Sequence, residues 1–315
     1  MDVNQRIMNR LADELSVRTA QVAATVALLD EGATVPFIAR YRKEVTGALD
    51  DSQLRLLDER LRYLRELEER REAVIAAIDE QGKLSPELDV SLNAADTKQR
   101  LEDLYRPFKK KRRTKAQIAR EAGLEPLADA LLADPSLDPE GEAQNYLRAA
   151  DGDTPAIDDA KAALDGAKQI LMERFAEDPE LIGQLRERLW QEGELSSRVL
   201  DGKAQEGAKF ADYFEHDEKL ARAPSHRALA MFRGRNEGVL SLAIRLPGED
   251  DAPIHPVQVA IAKQVGITLA SPGAGRRAGV GSGGGSADSP EDSPGKRWLT
   301  EVVRWTWRVK LYTAL

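Results

Sequence analysis

The chain of 315 residues carries 46 lysines and arginines against 54 aspartates and glutamates, which gives a formal net charge of −8. It contains no cysteine, which excludes disulfides, thiolate catalysis and cysteine-ligated zinc. No stretch approaches the roughly 18 consecutive apolar residues of a membrane span, and the first residues have neither the basic nor the apolar region of a secretory signal. We therefore expect a soluble cytoplasmic protein with no membrane partner, and the acidic total argues against indiscriminate coating of nucleic acid.

Helical periodicity dominates the first part of the chain. Ile7 and Leu11 share one helix face. The three-four spacing of leucines that starts at Leu54 predicts a heavily charged helix of about 28 residues between Asp50 and Gly82. Only the first half of this helix keeps heptad order, so it is expected to be the spine of a helical assembly rather than half of a coiled coil.

Two short helices are predicted on either side of Gly123, over residues 114–122 and 127–132. Ala119 is small enough for two helices to approach each other and Gly123 takes the turn, as in a helix-turn-helix. The pattern is common in helical bundles, and the second helix has few side chains able to read bases. We therefore expect a helix-turn-helix-like portion without sequence-specific recognition of DNA.

Residues 151–270 are predicted to form a second helical region. Its expected elements are a helix that starts at 154 and carries Ile157, Leu164, Leu171 and Phe175, a helix after Pro179, an irregular stretch over 193–214, a helix over 225–235, a short strand over 239–246 and a last helix through Val265. Over residues 271–297 the composition changes to Gly, Ser and Pro, which predicts a flexible, disordered linker. Residues 298–315 are expected to form an aromatic helix that packs into a core.

Together these elements predict a mostly α fold, a multi-helix scaffold with at most one or two short strands. The expected organisation is a helical domain over residues 1–150, the second helical region over 151–270, the linker over 271–297 and the aromatic helix over 298–315.

The strongest local signal is a run of cations, with no acid between residues 106 and 120. Its members are Arg106, Lys109, Lys110, Lys111, Arg112, Arg113, Lys115 and Arg120. Such a cluster suits phosphate neutralisation with release of counterions, and the flanking Tyr105 and Phe108 are able to stack on bases. The alternatives are a docking surface for an acidic protein and a solvated loop with no specific role.

No pattern in the sequence is typical of an active site. The glycines around Gly273 resemble a dinucleotide fingerprint, but more Gly and Ser follow where a helix is required. His216, His226 and His255 have no partner at metal-ligand spacing, and carboxylates are too numerous for any pair to stand out. We therefore predict a protein that is not an enzyme, with no cofactor and no metal.

Several ordered blocks of the sequence resemble the bacterial Tex family of transcription accessory and RNA-binding factors. The blocks are Val-Pro-Phe-Ile-Ala-Arg-Tyr-Arg-Lys-Glu-Val-Thr-Gly over residues 35–47, Leu-Glu-Asp-Leu-Tyr-Arg-Pro-Phe-Lys-Lys-Lys-Arg-Arg-Thr-Lys over 101–115, Lys-Phe-Ala-Asp-Tyr-Phe over 209–214, Pro-Ser-His-Arg-Ala-Leu-Ala-Met-Phe-Arg-Gly-Arg-Asn-Glu-Gly over 224–238, and the tryptophan-rich segment over 298–312. The resemblance implies a helical N-terminal scaffold related to the core of a eukaryotic transcription elongation factor. It also implies that the RNase H-like, helix-hairpin-helix and S1 domains of a full-length member have no counterpart in this chain. The Gly/Ser/Pro stretch departs from the family pattern, in which a short segment joins the last two blocks.

The function expected from this resemblance is that of a non-enzymatic transcription accessory protein that binds RNA or DNA through its local basic patch. The contact residues are expected in the cluster from Lys109 to Lys115, with Arg40, Arg42 and Lys43 of the first block as further candidates. In that block Tyr41 is alternatively a core residue, and its cations alternatively pair with acids of the long helix. The rival hypothesis is a scaffold that docks on the transcription or translation machinery, or positions RNA-binding domains, without touching nucleic acid.

Overall fold

The computed structural model describes residues 3–109, 112–150, 155–271 and 293–314. The chain divides into two compact units, Met1–Phe108 and Lys109–Leu315. Residues 109–150, which the sequence placed with the first domain, group with the second unit. Both units are built mainly from helices, so the prediction of a mostly α fold is confirmed. None of the helices within the described ranges is both long and apolar enough to cross a membrane.

The first unit consists of helices around one long central helix. They are α1 (Val3–Leu15), α2 (Thr19–Asp30), α3 (Val35–Tyr41), α4 (Asp51–Asp79), α5 (Pro86–Ala94) and α6 (Lys98–Tyr105), followed by a 3₁₀ turn over Arg106–Phe108. A capping box starts α4: the Asp50 carboxylate accepts from the Gln53 amide at 2.8 Å, and the Gln53 side chain accepts from the Asp50 amide at 3.1 Å. With 29 residues, α4 confirms the long helix predicted from leucine spacing.

The core of the first unit forms along α4. Leu54, Leu57, Leu61, Leu64, Leu67, Val74 and Ile78 are buried on one stripe of this helix. That stripe packs against α1, α2, α3, α5 and α6, so α4 is the spine that the sequence predicted. Arg71 crosses the same face and donates to the carbonyls of Leu92 and Ala95, which lie at the end of α5. These bonds satisfy carbonyl groups that the end of a helix leaves without partners.

The second unit contains the remaining helices and one small sheet. Its elements are α7 (Lys115–Glu121), α8 (Glu125–Ala133), α9 (Pro139–Ala143), α10 (Ala160–Ala176), α11 (Pro179–Glu192), β1 (Glu194–Val199), β2 (Glu215–Lys219), α12 (Ser225–Asn236), β3 (Leu240–Arg245), α13 (Pro256–Gln264) and α14 (Pro294–Trp305). A π-helical segment, Thr306–Leu311, continues α14.

Helix α10 is the centre of the second core. Its buried residues Ala163, Ala167, Ile170 and Leu171 pack against α7, α8, α9 and α14. Helices α7 and α8 flank Gly123, which has a φ of +73° and so takes the left-handed turn that the sequence predicted for it. The two short helices and the glycine turn between them are therefore confirmed, with the second helix beginning at Glu125 rather than at residue 127.

The sheet corrects two predictions. Its three antiparallel strands run in the order β2-β1-β3, where the sequence predicted at most one or two strands, and β1 lies in the stretch expected to be irregular. The alternation that predicts a strand is absent from β1, because its buried positions include Ser196 and Ser197. Only β3 was recognised. The sheet register pairs Ser197 with His216 on β2 and with Leu242 on β3.

The start of α10 and the ends of the linker also differ from prediction. Helix α10 begins at Ala160, where the Asp159 carboxylate accepts from the Ala162 amide at 2.7 Å, whereas Ile157 forms a bridge with Arg148. Most of the predicted linker, residues 272–292, lies outside the described residues. Residues 294–297, expected to belong to it, form the first turn of α14.

The tryptophan-rich C-terminal segment packs into the second core, as predicted. The residues of this segment that lie in the core are Leu299, Val302, Val303, Trp307 and Leu311. The indole of Trp307 lies 5.2 Å from the ring of His255, which caps α13. The segment therefore contributes to the core that surrounds α10.

Candidate nucleic-acid interface

The basic run of the sequence spans the boundary between the two units. In the second unit Lys109, Arg112, Arg113 and Lys115 are exposed, and Lys110 and Lys111 lie outside the described residues. Thr114 fixes the end of this stretch. Its hydroxyl accepts from the Gln117 amide at 3.0 Å to cap α7, and it donates to the Glu173 carboxylate on α10 at 3.0 Å. The segment is thus tied to the central helix of its unit.

Two cations of the run already have carboxylate partners. The Arg113 guanidinium donates through Nε to Glu121 at 2.9 Å, and this bond is the main cause of the lowered pKa of that carboxyl. The Arg120 guanidinium lies 2.7 Å from the buried carboxylate of Glu173. Both arginines therefore stabilise the position of α7, and Arg120 in particular is engaged within the unit.

Arg112 and Lys115 differ from these two arginines. Their side chains are exposed, and neither forms an ion pair with any residue in the described part of the chain. A cation that is held on an ordered backbone without a carboxylate partner is available to neutralise a phosphate. Among the described cations of the basic run in the second unit, Arg112 and Lys115 are therefore the ones without an internal ion pair.

The first unit contributes Arg106 and the aromatic residues beside it. Arg106 is half-buried on the 3₁₀ turn. Tyr105 and Phe108, which the sequence suggested as stacking residues, are also half-buried and pack against the core around α4. Arg70 covers the ring of Tyr105 at 5.5 Å, and Gln81 donates to the Phe108 carbonyl at 3.1 Å. These contacts favour a structural role for both rings.

In the block over residues 35–47, by contrast, the aromatic rings are exposed. Ile38 is fully buried and anchors α3, while Phe37 and Tyr41 are 41% and 59% exposed. The alternative that Tyr41 is a core residue is therefore wrong. Its hydroxyphenyl ring lies 5.3 Å from the Phe37 ring, and the Arg42 guanidinium lies 5.2 Å from the centre of the Phe37 ring on α3.

The cations of this block do not pair with the long helix. Arg40 and Lys43 are exposed, Arg42 is half-buried, and none of the three forms an ion pair among the residues that the structure describes. The arginines of α4 pair with acids of α4 itself or of other helices in the unit; these arginines are Arg55, Arg60, Arg62, Arg65, Arg70 and Arg71. The proposed pairing of the block with acids of α4 is not seen.

The exposed pair Phe37 and Tyr41 is the feature that sequence reasoning missed. The two residues are four apart and so lie on one helix face, and Ile38 lies on another. A helix of seven residues with a single buried anchor has room for an outward face. The spacing of four was the sequence signal that places the two rings on one face, whereas the burial of Ile38 determines that this face is exposed.

Elsewhere the described residues include side chains of metal-ligating type and clefts. Within the described ranges, no group of three or more His, Asp or Glu side chains is arranged to hold a metal. His216 lies 3.4 Å from Glu218, and His255 lies 3.2 Å from Glu249. A cleft of about 530 Å³ between α7 and α10 is lined mainly by apolar side chains, including Ile118 and Met172.

Comparison with known proteins identifies the relatives of this chain. The model of the Tex-like protein N-terminal domain matches residues 5–79, and the Tex central region-like model matches residues 134–276. The chain is 53% identical over 305 residues to the transcriptional accessory protein Tex of Neisseria gonorrhoeae and 54% identical over 310 residues to Protein tex of Bordetella pertussis. These matches cover 97% and 98% of the chain but 36% and 37% of the relatives.

A more distant relative comes from a eukaryote. The human S1 RNA-binding domain-containing protein 1 is 27% identical over 255 residues, which cover 78% of the chain and 25% of that protein. The chain thus spans about a third of the length of the bacterial relatives it matches. Two models of the Tex family match the chain, and its identity to bacterial Tex proteins extends over nearly its whole length. The chain therefore belongs to the Tex family.

Proposed function

We propose that this chain is a non-enzymatic part of a cytoplasmic transcription accessory protein and contacts RNA through exposed cations. The observation that carries the proposal is that exposed cations of two family blocks form no ion pair among the described residues: Arg112 and Lys115 in the second unit, Arg40 and Lys43 in the first. All six arginines of α4 have acidic partners. The four cations therefore differ from the arginines of the long helix, whose charges are neutralised by neighbouring acids.

The physical basis is local charge. With a net charge of −8, the chain as a whole repels a polyanion, so binding requires places where cations are not neutralised by neighbouring acids. Each such cation that neutralises a phosphate releases a counterion, which makes the affinity fall with salt. Arg112 and Lys115 lie close in sequence, three residues apart on either side of the Thr114 cap, and can follow one strand.

The names of the relatives support a role in transcription and RNA binding. One relative is named transcriptional accessory protein Tex, a second is named Protein tex, and the human relative is named for an S1 RNA-binding domain. The chain spans about a third of the length of the bacterial relatives. We therefore propose, for this part, a share in the activity of the whole proteins. The partners that we propose are RNA or DNA and the transcription machinery.

The test is fluorescence anisotropy of labelled single-stranded RNA and of duplex DNA, titrated with the chain over a salt series. We expect salt-sensitive binding, and we expect Arg112→Glu/Lys115→Glu to lower the slope of log affinity against log salt by at least about 1.4 for a single strand. Arg113 is left in place because it pairs with Glu121.

The matched control is Arg55→Glu/Arg62→Glu, which changes the net charge equally at exposed positions that are paired within α4. Equal losses of affinity in both double variants would mean that only the net charge matters. That result would contradict the assignment of Arg112 and Lys115 as contact residues. No binding by the unaltered chain at low salt would overturn the proposal.

Protein docking without nucleic-acid contact is the second candidate function. Leu229 and Phe232 on α12 are 68% and 41% exposed, and neighbouring apolar side chains on a surface favour association with another protein. A chain that docks on a protein without touching nucleic acid binds neither probe even at low salt, so the same titration separates the two functions.

A further inference from the structure

The outward face of α3 carries two aromatic rings in a basic setting. Phe37 and Tyr41 lie one helical turn apart with ring centres 5.3 Å apart and planes inclined by 48°. Arg42 lies over the Phe37 ring. Burying these rings in the core would have been favourable, so their exposure on a folded helix is not explained by the stability of the unit.

The backbone beneath this face is held in place from several directions. Ile38 is fully buried, and the Thr46 hydroxyl, also buried, donates to the Arg42 carbonyl at 3.3 Å. The Gln21 side-chain amide on α2 donates to the Gly47 carbonyl at 2.9 Å. Gly47 has a φ of +61°, and a Cβ there would press against Gln21, so glycine is required where the block turns back. The rings are therefore presented by an ordered element rather than by a loose loop.

The charges around the rings select the kind of partner. The block over residues 35–47 contains three cations and a single acid, Glu44. Arg40 and Lys43 are exposed and form no ion pair within the described residues. An aromatic face in a segment with an excess of cations suits a strand of nucleic acid, in which bases stack on the rings while phosphates meet the cations. A duplex hides its base faces and gains only from the cations.

We propose that Phe37 and Tyr41 form a stacking platform for the bases of single-stranded nucleic acid. The proposal rests on the proposed function and adds to it a preference for unpaired bases and a site in the first unit. Stacking does not depend on base identity because every base has an aromatic face, so the platform recognises single strands without a sequence preference.

The experiment compares three labelled probes of equal length: an oligouridine RNA, its abasic counterpart with the same phosphates, and an RNA duplex. Each is titrated with the chain and with the variant Phe37→Leu/Tyr41→Leu, which keeps apolar volume and charge but removes the aromatic faces. We expect the unaltered chain to bind the base-containing strand about 10-fold more tightly than the abasic strand. The variant is expected to bind the two equally, with an unchanged salt slope.

Trp190→Leu is the matched control. Trp190 is 54% exposed, and its neighbours along α11 balance two cations, Arg186 and Arg188, with two acids, Glu187 and Glu192, so it has the same kind of exposed ring without an excess of cations. Because all three substituted rings are exposed, we expect the thermal midpoint of each variant to match that of the unaltered chain, which checks that folding is preserved. The control is expected to retain the 10-fold preference.

The outcomes separate the platform from the proposed function. If the unaltered chain binds all three probes equally, or if the double variant keeps the preference for bases, the platform is overturned while cation-based binding stands, and protein docking becomes the use of these rings. If the unaltered chain binds none of the probes at low salt, the proposed function fails and the platform fails with it.

Discussion

The guanidinium of Arg120 on α7 lies 2.7 Å from the carboxylate of Glu173 on α10. The side chain of Glu173 is 8% exposed and that of Arg120 is 27% exposed, so the pair is largely removed from water. Thr114, which caps α7, donates to the other oxygen of the same carboxylate. A residue of the basic run thus holds the short helix against the centre of its unit, a role that charge pattern alone does not distinguish from phosphate binding.

The first prediction follows from this pair. Arg120→Ala removes a cation from a buried carboxylate and is expected to lower the free energy of unfolding by about 2 kcal/mol, less than for a fully buried pair because Arg120 keeps some contact with water. Urea denaturation followed by circular dichroism measures it. Arg62→Ala, which breaks an exposed pair within α4, is the control and should change stability by less than about 1 kcal/mol. Equal effects would show that the buried pair contributes no more than a surface one.

The second prediction concerns the close approach of α10 to the α7–α8 turn. A Cβ at Gly166 would overlap the Leu124 side chain and stand 3.3 Å from the Ala119 Cβ. Gly166→Ala is therefore expected to destabilise the chain by about 1–3 kcal/mol, although alanine ordinarily favours a helix over glycine by about 1 kcal/mol.

Leu124→Ala provides the test of that cause. It removes the side chain that the new methyl group meets, so adding Gly166→Ala in that background is expected to be neutral or stabilising. A double-mutant cycle by urea denaturation measures the coupling between the two positions. If Gly166→Ala costs the same in both backgrounds, the clash with Leu124 is not the source of the loss.

The third prediction is a dependence of stability on pH. Glu14 on α1 accepts from Arg60 on α4 at 2.7 and 2.8 Å. This bond lowers the pKa of Glu14 in the folded chain, opposed by partial burial and assisted by a hydrogen bond from Arg10. The folded state thus binds the proton less readily than the unfolded state. The resulting stabilisation is fully present above the ordinary carboxyl pKa of 4.5 and is lost as pH falls through the lowered folded value.

Glu14→Gln is accordingly expected to flatten the fall in stability below pH 4.5, with the largest difference from the unaltered chain above that pH. The urea midpoint measured between neutral and acidic pH gives the comparison. Glu72→Gln, at an exposed position of α4, removes a carboxylate that forms no ion pair among the described residues and is the control for the loss of one negative charge. A parallel pH profile for Glu14→Gln would contradict the role of the pair.

Sequence reasoning succeeded where one local pattern determined the outcome. The leucine spacing from Leu54 gave the long helix and its role as the spine, and Gly123 gave the turn between α7 and α8. It failed for β1 and β2 because their pairing is non-local: the buried Ser197 faces His216 across the ladder, and its hydroxyl donates to the Tyr213 carbonyl at 2.7 Å. The buried serines of β1 and the charged residues of β2 do not alternate between apolar and polar, so the sequence shows no strand pattern at either place.

The candidate contact residues were predictable as a set but not individually. Charge pattern identified the basic run, whereas the division between Arg112, which has no ion pair among the described residues, and Arg113, which pairs with Glu121, depends on how α7 folds. The outward rings of α3 were hidden because an aromatic residue in an apolar pattern is usually assigned to a core. Only the position of Ile38 relative to Phe37 decides which side of this short helix is buried.

The fourth prediction tests how firmly the C-terminal segment belongs to the second core. Trp307 is 8% exposed and lies against His255 of α13 and, edge to face, against Tyr312 at 5.4 Å. Trp307→Ala is expected to lower the free energy of unfolding by about 3 kcal/mol or more, since it removes a large buried ring and leaves a cavity. Trp190→Ala, at a position that is 54% exposed, should change it by less than about 0.5 kcal/mol. Urea denaturation followed by circular dichroism compares the two without relying on tryptophan emission. Equal stability of both variants would mean that residues 293–314 do not form part of the core around α10, because a ring packed there cannot be removed without cost.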